Sequence, residues 1–150
     1  METETAVRIP RKAREILRKK SFAHVATVMP DGSPQVTRVR VDVEGDEVVI
    51  NTAEGRMKPS NLRNDPRVAI AAVDPDNPYE AVIVRGRVSE MRREGADDHI
   101  AAMAKKYLDG DEYPFREPGR QRVEVHIEPE HVSMAPSEHA RRHLERLSLG

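Results

Sequence analysis

Six apolar runs, each alternating Val, Ile or Ala with polar residues and each closed by a turn sequence, constrain this chain more than any other feature. The first, "FAHVATVM" from Phe22, ends in "PDGS". The second, "PQVTRVRVDVEGD", carries Val36, Val39, Val41 and Val43, and "EVVINT" follows the Gly45-Asp46 turn. After a polar interval come "RVAIAAVD" and the long "EAVIVRGRVSEM", in which Gly86 is expected to mark a bulge or bend; "QRVEVHIEPEHVSM" closes the series. Period-two alternation in β-branched residues reads as strands. Helical spacing is rarer. Pro10 suits a first helical turn, and Ala13, Ile16 and Leu17 share a face, so a helix is expected to about Lys20. The segment Arg56 to Asp65 reads as a polar helix, stopped by Asp65-Pro66 because a residue before proline avoids the α region. "GADDHIAAMAKKYL" places Ile100, Met103, Ala104 and Leu108 on one face, with acids at its positive start. The tail from Ser137 to Gly150 reads as a short charged helix. Strands joined mostly by short turns, with few helices, predict a mainly β, α+β chain: an antiparallel barrel carrying two or three outer helices. A doubly wound parallel sheet is disfavoured, since helices do not alternate with strands and no GxGxxG follows one.

The 150 residues suit a single domain, residues 1–150, with 1–9 and about 137–150 peripheral. The chain has no cysteine, so thiolate chemistry is excluded. Twenty-five basic against twenty-six acidic residues leave a net charge of −1, so nucleic acid is not an expected partner and any anion site must be local. No apolar run reaches the roughly 18 residues of a membrane span, and the start lacks the core of a signal peptide. The expectation is a soluble cytoplasmic protein with no membrane partner.

In "NTAEGRMKPSNLRNDPRVAI", Arg56 and Lys58 stand where a strand end meets a helix start. Free backbone N–H groups and the positive end of the helix dipole point outward there. An Arg fork and a Lys point charge at that place suit a phosphate, with Asn61 one turn on as an amide donor. The spacing is equally compatible with ordinary surface charges in a chain of nineteen arginines. Other chemistry is weaker. His126, Glu128 and His131 lie close in sequence, but Pro129 interrupts the run and the expected metal site is none. The serines include no GxSxG elbow, and no carboxylate pair stands out, so the catalytic residues stay unknown. Tyr107, Tyr113 and Phe115 fall within nine residues and read as a cluster that pins a loop to the barrel or covers a planar ligand. Tyr79 reads as a turn anchor or a reach toward a partner subunit.

From Phe22 to about Pro129, roughly 70 % of the chain, the sequence resembles the flavin/deazaflavin oxidoreductases of the pyridoxamine 5′-phosphate oxidase-like superfamily, above all the F420-dependent branch. The phrases that carry the resemblance are "AHVATVMPDGSPQVTRV", "INTAEGRMKPSNLRNDPRVAI", "VDPDNPYEAVIVRGRVSE", "HIAAMAKKYLDGDEYPF" and "VEVHIEPEHVS". It implies a split β-barrel homodimer with the cofactor in a groove between subunits, and hydride transfer between coenzyme F420 and a small organic substrate. FMN is the alternative cofactor, and a non-catalytic flavin- or haem-binding module the alternative role. By resemblance, Arg56, Lys58 and Asn61 serve the cofactor's phosphate. Gln35, Thr37, Arg38 and Val39 neighbour the ring, with Asn51 and Thr52 at the adjacent strand end. Relatives commonly read T-P-V-W where this chain reads Thr37-Arg38-Val39-Arg40, which removes two ring neighbours and adds two cations. Those arginines suit an acidic cofactor tail, an anionic substrate, or a solvent-facing pair with a nearby acid. True pyridoxamine 5′-phosphate oxidase activity is disfavoured, because the tryptophan- and arginine-containing signature of that enzyme has no counterpart in a chain without tryptophan.

Overall fold

The computed structural model describes residues 7–108, 120–136, 142–143 and 145–147. Six strands close into one antiparallel barrel, as the alternation predicts and as the split β-barrel implied by the resemblance requires: β1 (Phe22–Val28), β2 (Pro34–Glu44), β3 (Glu47–Ala53), β4 (Arg67–Asp74), β5 (Asn77–Arg92) and β6 (Arg122–Ala135). Around the ring the order is β1-β2-β3-β6-β5-β4. The expected apolar positions point inward: Ala23 and Val25 on β1, Val41 and Val43 on β2, Ile70 and Ala72 on β4, Val82 and Val84 on β5, and Val123, Val125 and Ile127 on β6. A core of branched aliphatic residues follows from the scarcity of aromatics, since interdigitating Val and Ile fill a small barrel without leaving polar atoms unpaired.

Helix α1 (Arg11–Arg18) packs across β2, β4 and β5 and adds Ala13, Ile16 and Leu17 to the core. Ile9, in the segment the sequence places at the periphery, is buried with them, and its N–H donates to Asp46. Helix α2 (Met57–Asn64) bridges β3 and β4, and α3 (Ala96–Leu108) lies on the outer face of β3 and β6. The Tyr107 hydroxyl pins α3 to the barrel. It accepts from the Val41 N–H at 3.1 Å and lies 2.5 Å from the Ser21 carbonyl, to which it donates. Tyr113 and Phe115 lie outside the described residues. Of the expected tail helix, 142–143 and 145–147 are helical.

One expectation is corrected. Pro129 does not interrupt the last strand: β6 runs through it, and the pairing with β5 shifts register between Arg85 and Gly86, so that Gly86 faces Pro129. A proline has no N–H for the ladder, and a bulge absorbs the missing bond. Gly86 is required there, since a Cβ would lie 2.1 Å from the Glu128 carbonyl oxygen.

Candidate functional site

The residues around α2 gather positive charge at one end of the barrel. Arg56 is the N-cap of α2, in extended conformation; no side chain caps the helix and its first turn holds no acid. The N–H groups of Met57 and Lys58 therefore keep their capacity for a ligand, Pro59 having none, and the helix dipole adds a partial positive charge. Lys58, on the first turn, folds back over the barrel rim and donates from Nζ to Thr37 Oγ1 at 2.8 Å. Burial, with the Arg56 and Arg122 charges adding to it, holds the Lys58 pKa below the ordinary lysine value. A cation kept in such a place is short of a counter-charge.

Beside it lies a cavity of about 230 Å³, lined by the expected residues Arg38, Val39, Asn51, Thr52, Arg56 and Lys58. Phe22, Arg40, Ile100, Met103 and Arg122 complete the wall. Five of these side chains are cationic and none is a carboxylate. The Thr52 hydroxyl is buried without a hydrogen-bond partner. A buried unsatisfied hydroxyl costs about 1–3 kcal/mol, so this wall fits a ligand that brings both an acceptor and negative charge.

Four expected residues spend their polar groups on other protein groups. Asn61 is 2 % exposed and is absent from the cavity wall. Its amide donates inward to Thr27 Oγ1 at 3.1 Å and Gln35 Oε1 at 3.3 Å, which locks α2 onto β1 and β2. Gln35 is thereby part of the support under α2, and Thr37 holds Lys58. Asn51 is also fully engaged. Its Nδ2 donates to the Ala96 carbonyl and to His99 Nδ1, each at 2.9 Å, and its Oδ1 accepts from Arg122 Nε at 2.8 Å. One amide thus fixes the start of α3 and aims a guanidinium at the cavity.

Arg122 is a residue of the cavity wall that the sequence reading does not include. It is 5 % exposed and reaches the site from β6, on the far side of the chain from Arg56. Its only local signal was its phase, shared with Glu124 and His126, and nothing in the sequence pairs β6 with β3. Arg38 and Arg40 take their positions from aromatic rings: Arg38 lies 5.0 Å over Phe22 and Arg40 5.6 Å over Tyr107. Those contacts hold the two guanidinium groups at the cavity wall.

A family model described as pyridoxamine 5′-phosphate oxidase matches residues 9–135. The chain belongs to that family. Among solved structures, one named as an F420 reductase shares 28 % identity with this member, with a TM-score of 0.73 over 83 % of this chain and 98 % of that one. A conserved hypothetical protein, Rv2991 of Mycobacterium tuberculosis, gives 21 % identity and a TM-score of 0.66 over 89 % and 88 %. A FAD-binding protein of Mesorhizobium loti gives 21 % and 0.62 over 84 % and 94 %. The last two support the pyridoxamine 5′-phosphate oxidase fold alone.

Proposed function

We propose that this chain is an F420-dependent oxidoreductase. The observation that carries the reading is the five-cation wall, in which Arg56, Lys58 and an uncapped helix start meet Arg38, Arg40 and Arg122 without a lining carboxylate. One phosphate needs only the first three of these features. FMN presents a single phosphate, whereas F420 carries a phosphodiester and an acidic glutamate tail, so the surplus of cations favours the deazaflavin. The named function of the 28 %-identical relative supports the same choice.

In this reading Arg56, Lys58 and the α2 amides hold the phosphodiester, while Arg38 and Arg40 meet the tail or an anionic substrate. Val39, Ile100, Met103 and Thr52 line the space beside the ring. The bound coenzyme supplies hydride transfer; the protein supplies charge, orientation and exclusion of water. No side chain is required as acid or base.

The reading includes a homodimer. Outward-facing positions of the neighbouring strands β2, β1, β4 and β5 expose Val36, Phe22, Val73 and Ile83, an apolar face of the kind that a second copy covers. Phe22 also lines the cavity, so the site borders that face. Tyr79, at 85 % exposure, stands at its end, with its N–H accepted by Asn77 Oδ1. Among the described residues no helix is long and apolar enough to cross a membrane. The proposed compartment is the cytoplasm.

The test is spectroscopic. Protein purified from a host that makes both cofactors is expected to carry a deazaflavin band and to turn over reduced F420 with an organic acceptor. A flavin band selects FMN, a Soret band selects haem, and cofactor binding without turnover selects a binding module.

A further inference from the structure

Away from the cofactor cavity, on the outer face of the barrel, β6 carries a buried acid and a buried histidine two residues apart. His126 is 2 % exposed, and its Nε2 lies 2.7 Å from Oε1 of Glu124, which is itself buried. Glu44, at the end of β2, brings a third ligand atom, and the three atoms lie within 4.8 Å of one another. On the other side of the ring, Nδ1 is buried and makes no hydrogen bond, with Glu47 Oε1 3.3 Å away. The second oxygen of Glu47 accepts from the Ser89 hydroxyl. From these positions we infer that Glu44, Glu124 and His126 form a binding site for a divalent transition-metal ion, with Glu47 orienting the imidazole.

Three features carry the inference. His126 Nε2 and Glu124 Oε1 stand 2.7 Å apart with a Glu44 oxygen in reach, a spacing held by a shared proton or by an ion that takes its place. Ligands at right angles on an ion about 2.1 Å away sit about 3 Å apart, so small rotations of Glu124 and Glu44 admit one. The histidine then presents one nitrogen to the ion and has the other 3.3 Å from a carboxylate that is itself held, so a small turn of the ring gives the N–H to carboxylate contact usual for a ligating imidazole. The surrounding charge agrees. Four carboxylates, Glu44, Glu47, Glu90 and Glu124, gather here against Arg92, which hydrogen-bonds Glu90 at 2.7 Å. An imidazole with two carboxylates selects Zn²⁺, Co²⁺ or Ni²⁺ over Mg²⁺ or Ca²⁺. Because Glu44 faces Glu47 across the β2–β3 turn, the ion would clip that hairpin to β6. His131 and Glu128, next to His126 in sequence, take no part: both are exposed, and His131 lies beyond the bulge.

The experiment uses the full, untagged chain, stripped with a chelator and titrated with ZnCl2, CoCl2 and NiCl2 by calorimetry and thermal shift. One ion per chain is expected, with a rise in melting temperature. Glu44→Gln changes an exposed side chain, leaves the fold intact by circular dichroism, and is expected to weaken binding at least tenfold. His126→Gln is expected to abolish it. Should His126→Gln fail to fold, Glu44→Gln still decides. Absence of saturable binding by all three ions overturns the site. Wild-type affinity in Glu44→Gln places the ion elsewhere and overturns it equally.

Discussion

Lys58 Nζ donates to Thr37 Oγ1 at 2.8 Å, tying the first turn of α2 to the barrel rim. The contact fixes a cation whose pKa burial and two nearby guanidinium groups already depress below 10.5. In the free protein the folded state therefore gives up this proton at a lower pH than the unfolded chain does. Stability gains from this group as pH rises from the folded value toward the unfolded one. Anion binding runs the other way, because only the protonated form attracts a phosphate. Cofactor affinity is expected to fall as pH rises through the depressed Lys58 value, before an ordinary lysine titrates. Titrations across alkaline pH should show this limb in the wild type and not in Lys58→Met; matching profiles would count against the assignment.

Arg38 and Arg40 stand at the cavity wall, on Phe22 and Tyr107. Replacing both with Ser is expected to weaken F420 binding roughly tenfold at low salt and to flatten its salt dependence, because partly exposed charges act through a screened field. FMN, with no acidic tail, should lose less. Equal losses for the two cofactors would remove the tail from the assignment of these arginines.

The Tyr107 hydroxyl accepts from one backbone N–H and donates to a carbonyl inside the α3–barrel contact. Tyr107→Phe leaves the Val41 N–H without that partner and is expected to cost about 1–3 kcal/mol in denaturant unfolding. Burial pushes the phenol up to about 12, above the 10.0 of an exposed tyrosine. A raised folded value means that the folded state holds the proton longer, so this stabilisation is complete below pH 10 and declines toward pH 12. The variant should lack that part of the alkaline loss.

Gly86→Ala places a methyl group against the Glu128 carbonyl in the β5–β6 bulge. The β6 backbone of Glu128 and Pro129 leaves it no room, and a loss of about 1–3 kcal/mol or more is expected by thermal or denaturant unfolding. Gly45→Ala is not an equivalent control, because its φ of +61° already strains any side chain.

The barrel was legible because alternation in β-branched residues reports which face of a strand is buried, as on β1 and β4, although β3 and the first half of β6 are buried on both faces and Val36 of β2 is exposed. Arg56 and Lys58 line one cavity because both lie in one local segment at a helix start, a neighbourhood that spacing alone shows. Asn61 shared that segment, yet its amide turned inward, and spacing cannot distinguish a donor aimed at a ligand from one aimed at Gln35. Arg122 and the Glu44–Glu124–His126 cluster were illegible for a different reason. Both depend on β6 pairing with β3 over a long sequence separation, and local periodicity carries no information about strand order. Pro129 misled because a proline was weighed as a strand end rather than as half of a bulge whose other half is Gly86.

The central claim is that Arg56 and Lys58 bind the phosphate of a flat redox coenzyme. Titration of the purified chain with F420, compared with the Arg56→Ala/Lys58→Ala variant, tests it most directly. Saturable binding by the wild type, weakened by about 2–5 kcal/mol in a variant that stays folded, is the predicted result. Equal affinity in the two proteins, or no binding by the wild type, would contradict it.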